Sequence, residues 1–269
     1  MVGPAPGDAG LLLLALTRVP DLPRWIDARG MLLSGRAIVS ATPGADLSRD
    51  GFVIAVPDSA LAAVVGQPSR ALVAETLAAL SGDVNLLAQM EDAETAALAL
   101  SGWRRRVAIL HVLPGVMPWE SDADAQARVF TRETAPRFGH VPAALKCELD
   151  DALAGRTVSR FVPGALPQGC AFVSGITVPM AAVWADGRPV SFCYPVWQTE
   201  TRWDVSIETL EAYRGRGLGA RAARTMIRHL RTSGRAPVWG ALESNGASRA
   251  LAARLGFLEA AGLVVFTAK

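Results

Sequence analysis

The chain is poor in residues that bind metals or form crosslinks. It contains three cysteines and three histidines among 269 residues. The cysteines, Cys147, Cys170 and Cys193, form no Cys-x-x-Cys motif and cannot all pair with one another. The histidines are far apart, and no His-Glu-x-x-His motif is present. We therefore expect no metal site and no disulfide framework, and we expect a cytoplasmic protein with reduced thiols.

Long apolar runs and a charge excess are also lacking. The longest apolar run near the start, Leu11–Leu16, has six residues, whereas a membrane span needs about 18. No Lys or Arg precedes it, as one would in a signal peptide. The net charge is +2, from 27 Lys and Arg against 25 Asp and Glu. We therefore expect neither a membrane nor a nucleic acid as a partner.

What is present indicates a folded protein with two lobes. Hydrophobic residues make up 51% of the chain and charged residues 19%, which is typical of globular proteins. The length allows an N-terminal α/β lobe over residues 1–120 and a second domain over 121–269. In the first lobe, Gly51–Pro57 predicts a strand. Asp58–Val65 and Ser69–Ser81 predict helices, the second capped by Ser69.

The last hundred residues show a more regular pattern. Asp186-Gly187 separates two apolar runs and predicts a β-hairpin. Trp203–Leu210 alternates apolar and polar residues as a strand does. Gly217–Ser233 predicts an amphipathic helix that ends at Gly234. A strand, a short helix and a last strand are predicted at Pro237–Leu242, Ala247–Leu255 and Leu263–Thr267.

The segment between the Trp203 strand and the long helix carries the clearest functional signal. It reads Tyr-Arg-Gly-Arg-Gly-Leu-Gly-Ala over residues 213–220. Alternating glycines leave backbone N–H groups uncovered, and the start of a helix attracts anions. With Arg214 and Arg216 as cations, this loop predicts a phosphate cradle.

An alternative interpretation of the same loop is a dinucleotide-binding fingerprint, Gly215-x-Gly217-x-x-Ala220. That motif needs a doubly wound sheet and an acidic residue about 20 positions later, a place that only Glu243 approaches. The antiparallel hairpins before the loop fit such a sheet poorly. An NAD(P)-binding protein therefore stays as a remote alternative.

Three elements in order resemble the GNAT superfamily of N-acetyltransferases over roughly residues 169–269. The coenzyme A signature of that family, Q/R-x-x-G-x-G/A, matches Arg214-x-x-Gly217-x-Gly219. The strand Val205–Leu210 precedes it, and the sequence NGASRALAARLGF over residues 245–257 follows it. The resemblance implies a mixed, largely antiparallel sheet flanked by helices. The N-terminal lobe would be a smaller α/β unit and a degenerate relative of the C-terminal domain. Two-lobed acyltransferases of the glycine N-acyltransferase and zwittermicin-resistance types are built in this way.

The resemblance also implies the residues that hold acetyl-CoA. Backbone groups of the strand would bind the pantetheine arm, and the N–H groups of residues 215–220 would hold the pyrophosphate. A backbone N–H near Leu210 would stabilise the thioester oxyanion. The complete set of implied coenzyme-binding residues is Ile207, Glu208, Thr209, Leu210, Arg214, Gly215, Arg216, Gly217, Leu218, Gly219, Ala220, Asn245 and Ser248.

The implied activity is transfer of an acetyl or other acyl group from acetyl-CoA to a primary amine of a small molecule, bound between the lobes. The tyrosine that often protonates the leaving thiolate in the family is absent, because its position is Ala252. Ser248, Ser244 or water would serve instead. Candidate general bases are Glu200, Asp204 and Glu208. A non-catalytic acyl-CoA sensor or regulatory protein is the alternative function.

One further pattern lies on the long helix. Arg221, Arg224, Arg228 and Arg231 recur at helical spacing. This spacing predicts a basic stripe on the exposed face of the helix. The alternative is that one of these arginines contacts the ribose phosphate of the coenzyme.

Overall fold

The computed structural model describes residues 6–47, 49–121, 124–155 and 178–268, so Cys170 lies outside the described residues. None of the described helices is long and apolar enough to cross a membrane. The described helices are α1 Pro6–Arg18, α2 Ile26–Leu33, α3 Arg70–Ala78, α4 Ala93–Ala97, α5 Ala143–Leu153, α6 Leu218–Arg231 and α7 Gly246–Arg254. The described strands are β1 Ile38–Ser40, β2 Phe52–Val56, β3 Leu61–Val65, β4 Asn85–Gln89, β5 Arg104–Val112, β6 Ala127–Phe130, β7 Met180–Ala185, β8 Arg188–Gln198, β9 Arg202–Thr209, β10 Ala236–Leu242 and β11 Leu258–Thr267.

All of these strands belong to one mixed, mostly antiparallel sheet. Its order is β1-β2-β3-β4-β11-β5-β10-β9-β8-β7-β6. Two parallel pairs occur, β3 with β4 and β9 with β10, and each pair is connected through a helix. The fold class predicted from the sequence is therefore confirmed.

At the centre of this sheet, strands from the two halves of the chain alternate. The last strand, β11, pairs with β4 of the first half, and β5 of the first half pairs with β10. β5 and β11 also pair with each other along nearly their whole length. The division at residue 120 stays a prediction, and the sheet runs without a break from one half into the other.

The helices cover both faces of the sheet. On one face, α1 and α2 pack on β2, β3 and neighbouring strands, and α5 packs on β7 and β8. On the other face, α3 and α4 cover the first half, and α6 and α7 cover the second. This arrangement leaves β9 with α6 on one side and with the region between α2 and α5 on the other.

Local sequence signals explain the positions of several turns. Asp186 and Gly187 both have positive φ, at 52° and 74°, which is the geometry of a two-residue hairpin turn. The hydroxyl of Ser69 accepts the N–H of Leu72 and caps α3. Both features agree with the sequence prediction.

The helix predicted over Asp58–Val65 is wrong. Residues 57–59 form a single 3-10 turn, and Leu61–Val65 is strand β3. β3 lies inside the sheet between β2 and β4 and is covered on both faces. A strand of this kind is apolar throughout and lacks the alternation that identifies a strand in sequence.

Candidate functional site

The candidate site lies where β9 and β10 separate. These parallel strands pair only from Arg202 with Ala236 to Asp204 with Val238. Beyond this point they diverge, and a cavity of about 610 Å³ opens between them. Its walls come from β9, the glycine loop, α6, β10 and α7. The second half of β9 therefore exposes a backbone edge that has no strand partner among the described residues.

The glycine loop forms the open end of this cavity. Gly215 and Gly217 have φ of 76° and 73°, a conformation that favours glycine because it lacks a Cβ. Gly217 precedes the first turn of α6 and provides no side-chain cap. The N–H groups of that turn are therefore available to an anion, with the helix dipole in support.

Tyr213 holds the base of the loop. Its hydroxyl donates to Asp186 at 2.8 Å and accepts from Arg188 at 3.1 Å. The guanidinium of Arg216 lies 5.1 Å from the centre of the Tyr213 ring, a cation–π contact. Arg214 donates to the carbonyl of Thr209 at 3.2 Å. Both loop arginines are exposed beside the cavity mouth.

Most of the predicted coenzyme-binding residues surround this one cavity. Leu210 and Arg216 are not part of its lining. The lining includes these predicted residues: Ile207, Glu208, Thr209, Arg214, Gly215, Gly217, Leu218, Gly219, Ala220, Asn245 and Ser248. The predicted oxyanion donor at Leu210 needs correction, because its N–H donates to the carbonyl of Val190 at 2.9 Å. This hydrogen bond continues the β8–β9 ladder and occupies the donor.

Asn245 and Ser248 lie at the start of α7. The Asn245 side chain accepts the N–H of Ser248 at 3.1 Å and caps the helix. The Ser248 hydroxyl accepts from the indole N–H of Trp239 at 2.9 Å. Ala252 is fully buried in the core beneath α6, so the family's tyrosine position points into packed protein here.

The three predicted general bases lie in different environments. Glu208 lines the cavity, and burial raises its pKa, with a further increase from Glu148. Asp204 is on the same sheet face, at the last paired position of β9 and beside Gly240. Burial raises the pKa of Asp204 well above its usual range, and the Asp27 carboxylate raises it further.

Asp27 was not predicted from the sequence. It lies in the first turn of α2, more than 170 residues before Asp204. Burial raises its pKa to about 6. No local pattern relates the two carboxylates, since only the packing of α2 on β8 and β9 brings them together.

Glu200 is not brought into the cavity. Its carboxylate forms two hydrogen bonds with Arg29 of α2, one of 2.7 Å from Nε. Arg29 also donates to the carbonyls of Leu16 and Val19 at the end of α1. The side chains of Arg29 and Glu200 are only 14% and 22% exposed. Glu200 therefore connects the N-terminal helices to the turn between β8 and β9.

We expect Glu200→Gln to reduce stability and to leave the chemistry intact. A hydrogen bond to a charged group contributes about 1.5–3 kcal/mol, and the exposed part of this pair lowers that to about 1–2 kcal/mol. Urea denaturation measures the loss. Unchanged stability together with lost turnover would instead make Glu200 a catalytic residue.

The described residues of the first half form no equivalent opening. Its parallel pair, β3 and β4, stays hydrogen-bonded from Leu61 to Val64. The following loop packs against Gly51, where an added Cβ would lie 2.1 Å from the backbone nitrogen of Pro68. The N–H of Gly66 donates to the Asp92 carboxylate at 2.9 Å. A carboxylate and packed backbone therefore occupy the position that corresponds to the cradle.

A metal centre finds no support in the described part of the chain. No group of three or more His, Cys, Asp or Glu side chains there could hold a metal ion. Of the two described cysteines, Cys193 is buried and Cys147 exposed.

Comparison with known proteins supports the resemblance seen in the sequence. A family model described as GNAT acetyltransferase matches residues 181–266. No curated protein matches the chain.

Solved structures share the fold at low sequence identity. A GCN5-related N-acetyltransferase-like protein from Streptococcus suis has a TM-score of 0.64 and 14% identity, covering 97% of this chain and 99% of its own. A GNAT-family acetyltransferase from Colwellia psychrerythraea has a TM-score of 0.58 and 15% identity, covering 99% and 98%. A tandem GNAT protein from the clavulanic acid biosynthesis pathway has a TM-score of 0.55 and 15% identity, covering 100% and 96%. The tandem protein agrees with the two-lobed arrangement.

Proposed function

Because residues 181–266 match the GNAT acetyltransferase family, we propose that this protein transfers an acetyl group from acetyl-CoA to the primary amine of a small molecule. The observation that carries the proposal is the opening between β9 and β10, which leads to the glycine cradle. The proposal places a diphosphate at the cradle and an extended arm along β9.

The cradle and the strand would hold different parts of the coenzyme. Free N–H groups at the start of α6, with Arg214 and Arg216 nearby, suit the pyrophosphate. The unpaired edge of β9 over residues 205–209 can bind the amide groups of the pantetheine arm as a further strand would. The thioester supplies an activated acyl carbon and a good leaving group when it is bound.

Asp204 is the best placed base for the amine. It lies where the two strands separate, on the sheet face between α2 and α5. A primary amine is protonated at neutral pH and must lose a proton before it attacks. Asp204 takes that proton first. The neutral nitrogen then bonds to the acyl carbon, the carbon–sulfur bond breaks, and the second proton leaves the nitrogen and passes through water to the departing thiolate. A raised pKa makes Asp204 a stronger base than an exposed carboxylate.

The negative charge on this face favours a cationic amine as the acceptor. Asp204 and Glu208 lie on the same face of β9. Beside them, Glu148 of α5 accepts a hydrogen bond from the hydroxyl of Tyr194. Ser248 lines the cavity and would be next to the leaving thiolate. Ser248 or water protonates it.

Calorimetry and a thiol-release assay test this function. We expect one acetyl-CoA to bind per chain, because the first half has no opening between β3 and β4. We also expect thermal stabilisation by acetyl-CoA and CoA of several degrees at about 100 times Kd, and none by NADH. Free thiol should then appear with a member of a panel of primary amines. Binding without turnover across the panel would support the acyl-CoA sensor, and stabilisation by NADH alone would overturn both.

A further inference from the structure

The arginine stripe of α6 is not the exposed face that its spacing predicts. Arg221, Arg224 and Arg228 are only partly exposed. They lie beneath the 3-10 turn at Pro118–Ser121 and beside Asp124 and Ala125. Together with Trp119 they line a cavity of about 360 Å³. No residue lines both this cavity and the larger one beside the glycine loop.

One of the three arginines already has a counterion. Arg221 donates two hydrogen bonds to Asp124, at 2.5 and 2.6 Å, and a third to Gln126 at 3.0 Å. The hydrogen bond from Arg221 lowers the pKa of Asp124, so this carboxylate is ionised at neutral pH. The pair contributes no net charge to the cavity.

The other two arginines form no ion pair with a described carboxylate, although the charge of Arg228 also lowers the pKa of Asp124. Arg224 lies over the ring of Trp119 at 5.4 Å, and its Nε is buried without a hydrogen-bond partner. Arg228 makes one long hydrogen bond, of 3.5 Å, to the hydroxyl of Thr225. Among the described residues, neither has a carboxylate within salt-bridge distance.

Two partly buried guanidinium groups that form no ion pair with a described carboxylate are stabilised when an anion joins them. A guanidinium presents its N–H donors as a planar fork that matches phosphate oxygens. The cavity is within the size range of small-molecule sites. We propose that it binds a multivalent phosphate-bearing ligand between Arg224 and Arg228, at a site separate from that of the coenzyme.

The probe is inorganic pyrophosphate, measured by calorimetry on the full chain in low-salt buffer, with and without saturating CoA. We expect one binding event that persists when CoA is present. Arg224→Gln and Arg228→Gln should each weaken it at least tenfold. The matched control is Arg70→Gln. Arg70 is exposed at the start of α3, so this substitution removes the same charge from another surface. That variant should bind as the wild type does.

A variant that is expected to tighten binding distinguishes a loss of the site from a loss of folding. Asp124→Asn removes the counterion of Arg221 and should tighten pyrophosphate binding severalfold, which a poorly folded protein cannot do. An event that CoA displaces belongs to the glycine cradle, so the proposal is overturned if no pyrophosphate binding remains once CoA is bound. The absence of binding, or equal binding by wild type and both glutamine variants, would overturn it too.

Discussion

Gly219→Val should abolish acetyl-CoA binding and leave the fold intact. A Cβ at Gly219 would lie 3.4 Å from Ile207 Cγ2, 3.5 Å from Thr209 Oγ1 and 3.6 Å from Leu251 Cδ2. These are ordinary contact distances, and Gly219 has no positive φ. The Cβ itself therefore makes only ordinary contacts, and we expect the two methyl groups of valine to enter the space between β9 and α7. We expect affinity to fall by about 100-fold or more, which corresponds to roughly 2.7 kcal/mol.

The matched control for this variant is Gly10→Val. Gly10 is also helical, and a Cβ there would meet no atom within 4 Å. Calorimetry with acetyl-CoA and thermal unfolding of both variants separate loss of binding from loss of stability. Wild-type affinity in Gly219→Val would place the coenzyme elsewhere. Gly217 is a poorer choice for the test, because a side chain at its φ of 73° strains the loop itself.

The parts of the fold that sequence predicts correctly are those that depend on near neighbours. The hairpin at Asp186-Gly187 and the cap at Ser69 each need only a few residues with particular backbone preferences. The glycine loop before α6 is of the same kind, since its spacing sets where the N–H groups are exposed. The position of the glycine loop at the mouth of the cavity between β9 and β10 could therefore be predicted from the sequence.

The parts that sequence misses depend on contacts between distant segments. β11 lies between β4 and β5, and β5 is next to β10. No residue of β11 specifies that partner by its own pattern. The role of Glu200 is missed for the same reason, because its carboxylate is ion-paired with Arg29 of α2 and does not line the cavity. The same holds for Leu210, whose N–H is used by β8.

The packing of α2 against β8 and β9 explains how the first half contributes to the site without a glycine cradle of its own. α2 is positioned by its contacts with β8 and β9 and by the Arg29–Glu200 ion pair. This packing brings Asp27 close enough to Asp204 to raise the pKa of Asp204. The first half therefore supplies charge to the proposed acceptor side of the sheet, and the second half supplies the groove.

The pH dependence of turnover tests the assignment of Asp204 as the base. We expect Asp204→Asn to lower kcat/KM by about 10²- to 10⁴-fold, the usual contribution of a positioned general base. Its affinity for acetyl-CoA should be unchanged, because Asp204 does not line the cavity between β9 and β10. Glu200→Gln is the matched control, since it removes a carboxylate that is ion-paired nearby, and it should keep turnover within a few-fold of wild type.

Asp27→Asn should shift the acid limb of the kcat/KM profile to lower pH. A base works only when it is unprotonated, so a raised pKa moves the acid limb of activity to higher pH. Burial is the larger cause of the raised pKa of Asp204, and the Asp27 charge adds to it. Removing that charge lowers the pKa of Asp204, and activity then persists at lower pH. An acid limb that stays in place in Asp27→Asn, or that survives in Asp204→Asn, would assign the proton to another group, with Glu208 as the remaining carboxylate on β9.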